Sequence, residues 1–385
     1  MALVMTIIVM LILVGVTVTV AVNGGLFEQT KKAAKGTEAE RNKEISASDG
    51  EVQIDGIVYA STDDYINNNP KLPSNARRLS AEEAKANGTV TKDWDLSKVT
   101  AVEIKEGAAT NIIPLPKGFQ ISLKEGENTV TGGLVIKEEE NEFVWIPCTG
   151  SYREDNFGPL TGTDTAGYSK TVYDSQKQLD YYYGKNYYNY EKDFNYAQDK
   201  LNIETSINRY KGFYVGRYET TIYNGKIGSK KGATVLVGGT KLPNNKYYRW
   251  YGLYKAQKDV YAENNNVFST MITSGEWDRI MSFTKYGSMQ RGTDTYTTKP
   301  DLSGSAYKGT TDAYDVSKNI YDLAGNVFEW TLTVPSDPPY NDRSRIERGG
   351  YCYDGGNGPA SFINNSNPLS GTGNVLGSRL ALYIR

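Results

Sequence analysis

The chain has 385 residues, a length typical of two or three domains, with 43 basic and 45 acidic side chains. A formal net charge of −2 supplies no positive field, so we exclude nucleic acid as a partner. Because the chain contains no histidine, a triad with histidine, a histidine-ligated zinc site and an imidazole general base are all excluded.

An uninterrupted apolar segment occupies residues 2–22, and its only polar members are Thr6, Thr17 and Thr19. At 1.5 Å per residue, one helix of this length crosses the roughly 30 Å hydrocarbon core of a membrane. A cleaved signal peptide is the alternative, but no basic residue precedes the apolar run, which is longer than the roughly 7–15 residues usual in such peptides. The sequence therefore predicts a transmembrane helix over residues 1–22.

The charged residues 23–46 predict an exposed helical stalk. Together with the apolar segment they resemble the N-terminal helix of type IV pilin-like proteins of Gram-positive bacteria. The usual basic leader with its glycine cleavage site is absent, so either this sequence starts inside the leader or the segment is a plain anchor that no prepilin peptidase processes. The basic residues all follow the apolar segment, and the positive-inside rule alone would leave the C-terminal bulk in the cytoplasm. The resemblance instead implies a cell-membrane protein with an extracellular head and would allow a pilus-like assembly.

Residues 47–107 predict a small α+β spacer domain without any motif that assigns chemistry. Alternating residues indicate strands over 51–60 and 99–106, and Ser80 precedes a short helix over 81–86. A head follows over 108–385, opening with strands over 129–136 and 142–146.

Residues 150–210 are interpreted as an insertion into this head. Their tyrosine-rich stretch, 180–190, has no apolar periodicity. It is either a second contact surface or a loop packed on the head.

Five motifs occur in order along the head: Glu142–Pro147, Gly212–Thr220, Glu276–Asp278, Gly325–Thr331 with Arg345–Gly350, and Gly377–Arg379. They resemble the C-type lectin-like fold of the formylglycine-generating-enzyme type, also called sulfatase-modifying factor. The resemblance covers roughly residues 140–385 and implies an α+β head. Ser378 stands where that family usually has an aromatic residue.

The oxidases of this family bind copper(I) through a C-x-x-x-x-C pair of thiolates after the R-G-G element, and thiolates suit that soft ion. Here Cys352 follows Gly350 by two positions, but Asn357 stands where the second cysteine is expected. The other cysteine, Cys148, lies far upstream. The sequence thus argues against catalysis, while an oxidase of this type remains an alternative. The resemblance also allows a disulfide between Cys148 and Cys352.

The same family has a calcium motif, N-x-x-G-x-A-x-E, which the chain matches with Asp322, Gly325, Val327 and Glu329. The resemblance implies side-chain oxygens from the two acids and carbonyl oxygens from the two residues between them, and such hard ligands suit Ca²⁺. In the alternative, Asp322 caps a turn and Glu329 pairs with an arginine, either Arg348 or Arg379.

Heads of this type also serve as the variable receptors of diversity-generating retroelements, in which template adenines are randomised. Between Arg348 and a short terminal strand, 381–384, lies an aperiodic stretch rich in Asn, Gly and Ser. Asparagine codons mutated at adenines yield many of its residues. The candidate ligand-binding residues are Tyr351, Tyr353, Asp354, Asn357, Phe362, Ile363, Asn364 and Asn365, with Trp330, Arg348 and Arg379 supporting them from beneath.

The sequence therefore predicts a membrane-anchored surface protein that displays a binding head for an unidentified protein or glycan. An oxidase and a purely structural pseudopilin are the alternatives.

Overall fold

A computed structural model gives the architecture of the chain. The structure describes residues 72–86, 91–148, 150–152, 196–238, 240, 249–285, 316–333, 345–350 and 375–385, with the backbone of 46–48, 51–54, 57–59 and 363–364. Within these ranges no helix is long and apolar enough to cross a membrane. The predicted transmembrane helix, all but the last residue of the stalk, and the tyrosine-rich stretch lie outside the described residues.

The chain divides into two compact units, residues 1–71 with 117–119, and residues 72–116 with 120–385. The described strands of the first unit are β1 (Ser46–Ser48), β2 (Glu51–Ile54) and β3 (Ile57–Tyr59), in one antiparallel sheet. The single strand predicted over 51–60 is therefore wrong. Ile54 pairs with Ile57, and the two residues between them are Asp-Gly, a dipeptide that favours hairpin loops.

The second unit begins with an antiparallel sheet and a short helix. Strands β4 (Ala76–Arg78), β5 (Val99–Glu106) and β6 (Ala109–Pro116) pair in that order, and α1 spans Ala81–Ala86. At the start of α1, the Glu83 amide donates to Ser80 Oγ over 3.1 Å, and the Ser80 amide donates to Glu83 Oε2 over 2.8 Å. This reciprocal cap fixes the helix start. The predictions for α1 and β5 are confirmed.

A six-stranded sheet forms the centre of this unit, in the order β14-β21-β10-β9-β8-β7. Its strands are β7 (Gln120–Ile121), β8 (Val135–Glu138), β9 (Asn141–Pro147), β10 (Gly212–Gly216), β14 (Val267–Met271) and β21 (Leu380–Ile384). The strand predicted over 129–136 begins only at Val135, because Gly133 has a φ of +92° that interrupts extended backbone. The strand predicted over 142–146 and the terminal strand predicted over 381–384 are confirmed.

Both faces of the central sheet are covered, which explains the continuous apolar run of β9. On one face, Val144 and Ile146 lie in the main hydrophobic core. On the other, the Trp145 and Tyr214 rings lie 4.8 Å apart between centroids, and the Tyr214 hydroxyl donates to the Pro114 carbonyl over 2.9 Å. The sheet of β4, β5 and β6 therefore packs on the central sheet within one compact unit.

Three longer helices pack around the central sheet: α2 (Tyr196–Tyr210), α3 (Trp250–Asp259) and α4 (Ser274–Thr284). Helix α2 lies in the segment interpreted as an insertion, yet its Ile203 and Ile207 are buried in the main core. Helix α4 carries the E-W-D motif, as predicted, and Thr273 caps it by accepting from the Glu276 amide over 3.1 Å.

The remaining strands of the second unit form three small sheets. The first contains β11 (Thr221–Tyr223), β12 (Lys226–Gly228) and β13 (Thr234–Val235), and the second contains β15 (Val316–Ser317) and β16 (Ile320–Tyr321). The third contains β17 (Phe328–Trp330), β18 (Glu347–Arg348), β19 (Ile363–Asn364) and β20 (Leu376–Ser378). The predicted α+β class is confirmed.

Candidate functional site

The C-terminal motifs meet in the sheet ordered β19-β18-β17-β20. Strand β18 runs antiparallel to β17, so that Glu329 lies opposite Arg348, and β20 runs parallel to β17 on its other side, so that Glu329 also lies opposite Gly377. Residues 351–374 lie between β18 and β20 in the chain and include β19, which pairs with β18 in the same sheet. Because the sequence predicts that they contact a ligand, we call them the binding segment. We call β17, β18 and β20, with the side chains of Arg348 and Arg379, the frame.

Arg379 fixes the strand that follows the binding segment. Its guanidinium donates to Glu329 Oε1 from Nη2 over 2.7 Å and from Nε over 3.2 Å, and both side chains are fully buried. It also donates to the carbonyls of Gly216 over 3.1 Å and Tyr321 over 2.8 Å. One guanidinium thus ties β20 to the end of β10, to β16 and to β17.

Arg348 fixes the strand that precedes the binding segment. Its Nη2 donates to Asp278 Oδ1 over 2.5 Å, and its Nη1 donates to Ser274 Oγ over 3.1 Å. Burial raises the pKa of Asp278, and the facing Arg348 guanidinium opposes that shift. Both partners of Arg348 lie on α4, so the E-W-D helix anchors the R-G-G element.

Two glycines, one directly after β18 and one on β20, are required by close packing. Gly349 has a φ of +74°, and a Cβ there would lie 2.7 Å from Glu329 Oε2 and 2.8 Å from the Leu323 carbonyl oxygen. A Cβ on Gly377 would collide with the Val327 side chain. Only glycine lets β18 and β20 approach β17 this closely.

We expect Gly349→Ala to destabilise the head more than Gly225→Ala, a matched change at another left-handed glycine. Gly225 has a φ of +75°, and a Cβ there would have no atom within 4 Å, so the change costs only the backbone strain of about 1–2 kcal/mol. At Gly349 the clash should add about 1–3 kcal/mol. Chemical denaturation of the two variants measures the difference, and equal losses would contradict the close packing.

The four residues of the predicted calcium motif lie in one buried region with a fifth residue, Glu219. The Glu219 carboxylate accepts from the Val327 amide over 3.2 Å and from Asn326 Nδ2. Burial raises its pKa well above the usual range, and the carboxylates of Asp322 and Glu329 raise it further. The carboxyl groups of Glu219, Asp322 and Glu329 therefore lie near one another and near the Arg379 guanidinium.

The sequence left two roles open for Glu329, as a calcium ligand or as the partner of an arginine. Glu329 pairs with Arg379, whereas Arg348 pairs with Asp278. Across the part of the chain that the structure describes, no three acidic or cysteine side chains come together in a geometry that would hold a metal ion. Calcium therefore stays a prediction, which rests on the family resemblance of the motif.

If Ca²⁺ binds at the predicted motif, the ion should stabilise the folded head by about 2.7 kcal/mol at 100 times its Kd. Melting curves in EDTA and in millimolar CaCl₂ measure this. The matched variant Glu219→Gln removes one of the three carboxylates and should reduce the calcium-dependent rise in Tm. A Tm that is the same in EDTA and in calcium would rule the site out.

Cys148 is a free, buried thiol whose pKa burial raises to about 12. Cys352 lies outside the described residues.

Most candidate ligand-binding residues also lie outside the described residues: Tyr351, Tyr353, Asp354, Asn357, Phe362 and Asn365. The backbone of Ile363 and Asn364 forms β19, opposite Arg348 and Glu347. The predicted supporting residues Trp330, Arg348 and Arg379 are all buried around the frame.

Sequence reasoning missed the roles of Glu219 and Asp278, although both stand inside the quoted motifs. Each is an acidic residue that directly follows a large aromatic residue, Tyr218 or Trp277, and this is the signal that could have identified them. A buried carboxylate needs donors or a cation, so such a residue indicates a partner elsewhere in the chain.

No family model and no curated protein matches the chain. Among solved structures, it is similar to the Major Tropism Determinant M1 variant, with 11% identity and a TM-score of 0.34 over 90% of this chain and 97% of that one. It is similar to Treponema denticola variable protein 1, with 14% identity and a TM-score of 0.23 over 72% of this chain and 97% of that one. It is also similar to CarF, with 16% identity and a TM-score of 0.30 over 46% of this chain and 87% of that one.

Proposed function

We propose that the second unit is a C-type lectin-like binding head that contacts a protein or glycan ligand through the binding segment. The observation that carries this proposal is the anchoring of both ends of the segment in one buried sheet. Arg348 and Arg379 hold the strands on either side through charged hydrogen bonds to Asp278 and Glu329. A scaffold of this kind tolerates changes in the segment between its strands.

The composition of the binding segment supports a contact surface. Tyrosine offers a large amphipathic area at low entropy cost, and Asn, Ser and Gly offer adaptable hydrogen bonding, as in antibody loops. The same residue types arise when adenines in asparagine codons are randomised. We therefore propose that this head is a variable receptor of a diversity-generating retroelement, in which the frame is constant and the segment varies.

A glycan and protein array tests the binding proposal. The full-length chain should retain one or a few ligands, and Tyr351→Ala should lose them. The matched control is Tyr223→Ala, which removes a tyrosine that is 45% exposed on β11 and belongs to neither the frame nor the binding segment. Equal binding by the two variants would contradict a role for the binding segment. A reverse transcriptase gene with a near-repeat template beside this gene would support variation.

We also propose that residues 2–22 anchor the protein in the cell membrane with the head outside. The support is the uninterrupted apolar run. In lipid, the hydroxyls of its threonines can donate hydrogen bonds to backbone carbonyls of the same helix. An exterior location would place the binding segment where a protein or glycan ligand can reach it.

Cell fractionation tests whether residues 2–22 anchor the protein in the membrane. The full-length chain should sediment with membranes and resist extraction by salt, whereas a variant lacking residues 2–22 should be soluble, because about 20 apolar residues are needed to span the bilayer. External protease should degrade the head in intact cells. Uncleaved full-length protein in the soluble fraction would refute the anchor, and a protease-resistant head would refute its orientation.

A further inference from the structure

A cleft lies between helices α2 and α3 and over the neighbouring ends of β14 and β21. Its volume is about 710 Å³, within the roughly 300–1,000 Å³ usual for small-molecule sites. None of the residues that line it belongs to the frame. The cleft is therefore a separate place on the head, and its possible ligand is independent of the function proposed for the binding segment.

The cleft has an excess of positive charge. Four basic side chains line it, against two acidic ones. Lys258 pairs with Asp199 over 2.7 Å, and Lys255 pairs with Asp259. These two pairs account for both acidic side chains of the cleft, so neither of the remaining two basic residues pairs with an acidic side chain that lines it.

The two remaining arginines differ in what they contact. Arg385 donates from Nε to the carbonyls of Asn264 over 2.8 Å and Val267 over 2.9 Å, and so holds the turn before β14. Arg209 lies exposed on the last turn of α2, where its side chain also hydrogen-bonds the Tyr210 hydroxyl. Among the described residues, Arg209 forms no direct ion pair, and the Asp95 carboxylate interacts with it only electrostatically. It is thus the side chain of the cleft that is best placed to receive a carboxylate.

The rest of the lining suits a ligand with hydroxyl groups. Asn202 and Thr205 lie on the exposed face of α2 beside Arg209 and can both donate and accept hydrogen bonds. Thr270, which also lines the cleft, is only 2% exposed. Its buried hydroxyl has no hydrogen-bond partner among the described residues. Leu201, which is 57% exposed, adds an apolar surface to the wall.

We propose that this cleft binds a small sugar acid of the uronic-acid class. The carboxylate of the ligand meets Arg209, because a guanidinium matches a carboxylate in charge and in its two-pronged geometry. The hydroxyls of the ring meet the amide and hydroxyl groups of Asn202, Thr205 and Thr270. Its C–H face lies against Leu201.

Titration of the full-length chain with D-glucuronate, followed by calorimetry, tests this site. D-glucose is the matched ligand, because it has the same ring with a hydroxymethyl group in place of the carboxylate. We expect glucuronate to bind with a Kd on the order of 1 mM and glucose to bind about tenfold more weakly or worse. Raising the salt concentration should weaken glucuronate binding, since Arg209 is exposed.

Three variants locate the binding. Arg209→Gln should weaken glucuronate binding about tenfold and leave glucose binding unchanged, since it removes the charge alone. Thr270→Val keeps the shape of the side chain and should weaken both ligands. Lys226→Gln is the control, because Lys226 is an 83% exposed cation on β12 that does not line the cleft. Melting curves check that each variant is folded.

Any of three results overturns the proposal. The first is the absence of saturable glucuronate binding up to about 100 mM, a concentration at which a Kd on the order of 1 mM gives near-complete saturation. The others are equal affinity for glucuronate and glucose, and an unchanged affinity for glucuronate in Arg209→Gln. None of these results bears on the binding segment. Loss of array binding in Tyr351→Ala with intact glucuronate binding would in turn concern only that segment.

Discussion

Replacing Arg379 by leucine should destabilise the head by about 3–5 kcal/mol, the loss expected when one partner of a buried ion pair is removed. The change leaves the fully buried Glu329 without its guanidinium. It also removes the donors to the carbonyls of Gly216 and Tyr321. Urea denaturation measures the loss as a shift in midpoint at constant slope.

The double variant Arg379→Leu with Glu329→Leu distinguishes the buried charge from the lost hydrogen bonds. An apolar replacement of a whole buried pair is often close to neutral, so we expect the double variant to recover much of the loss. Lys226→Ala is the exposed control, since its pair with Glu139 has side chains 83% and 69% exposed. That change should alter stability by less than about 0.5 kcal/mol. A single variant Arg379→Leu as stable as this control would show that the pair does not hold the frame.

Local signals explain which elements could be predicted from the sequence. Helix α1 and the reciprocal cap of Ser80 and Glu83 depend on residues three positions apart, and the alternation of β5 is equally local. Helix α4 follows from a motif and begins with the same kind of cap. In each case the information that determines the element lies within the element.

Elements whose stability comes from distant contacts are predicted poorly. Helix α2 has few apolar residues, and Leu201, one of them, is exposed, so its pattern is weak although Ile203 and Ile207 are buried in the core. The strand predicted from residue 129 begins only at Val135 for a related reason. The positive φ of Gly133 is determined by tertiary contacts and not by the neighbouring residues in the sequence. Tertiary packing overrides local pattern in both segments.

The candidate site shows the same division. The motifs identify the arginines of the frame, but no local pattern could pair Arg348 with Asp278 or Arg379 with Glu329. These partners are 70 and 50 positions apart in the chain. Sequence alone leaves Arg348 and Arg379 as alternatives for Glu329. Arg348 lies opposite Glu329 in the sheet, yet its guanidinium bonds Asp278, and the guanidinium of Arg379 bonds Glu329.

The second prediction separates the frame from the binding segment. Trp330→Ala should destabilise the head by about 3–5 kcal/mol, because it removes a large aromatic side chain that is fully buried in the main core. Tyr351→Ala and Phe362→Ala should instead leave the Tm nearly unchanged. Each should weaken ligand binding by more than about 1 kcal/mol, as interface anchors do.

Two assays on the same variants make this contrast decisive. Thermal melts report stability, and titration of a ligand recovered from the array reports affinity, so a variant that merely unfolds is recognised by its Tm. The reverse pattern, in which Tyr351→Ala unfolds the head while Trp330→Ala is tolerated, would mean that the binding segment is core. Because Trp330 lies on β17 between the strands that bracket the segment, that result would also refute the frame. The tyrosine-rich stretch at 180–190 would then be the next contact surface to test, since it offers the same side-chain chemistry.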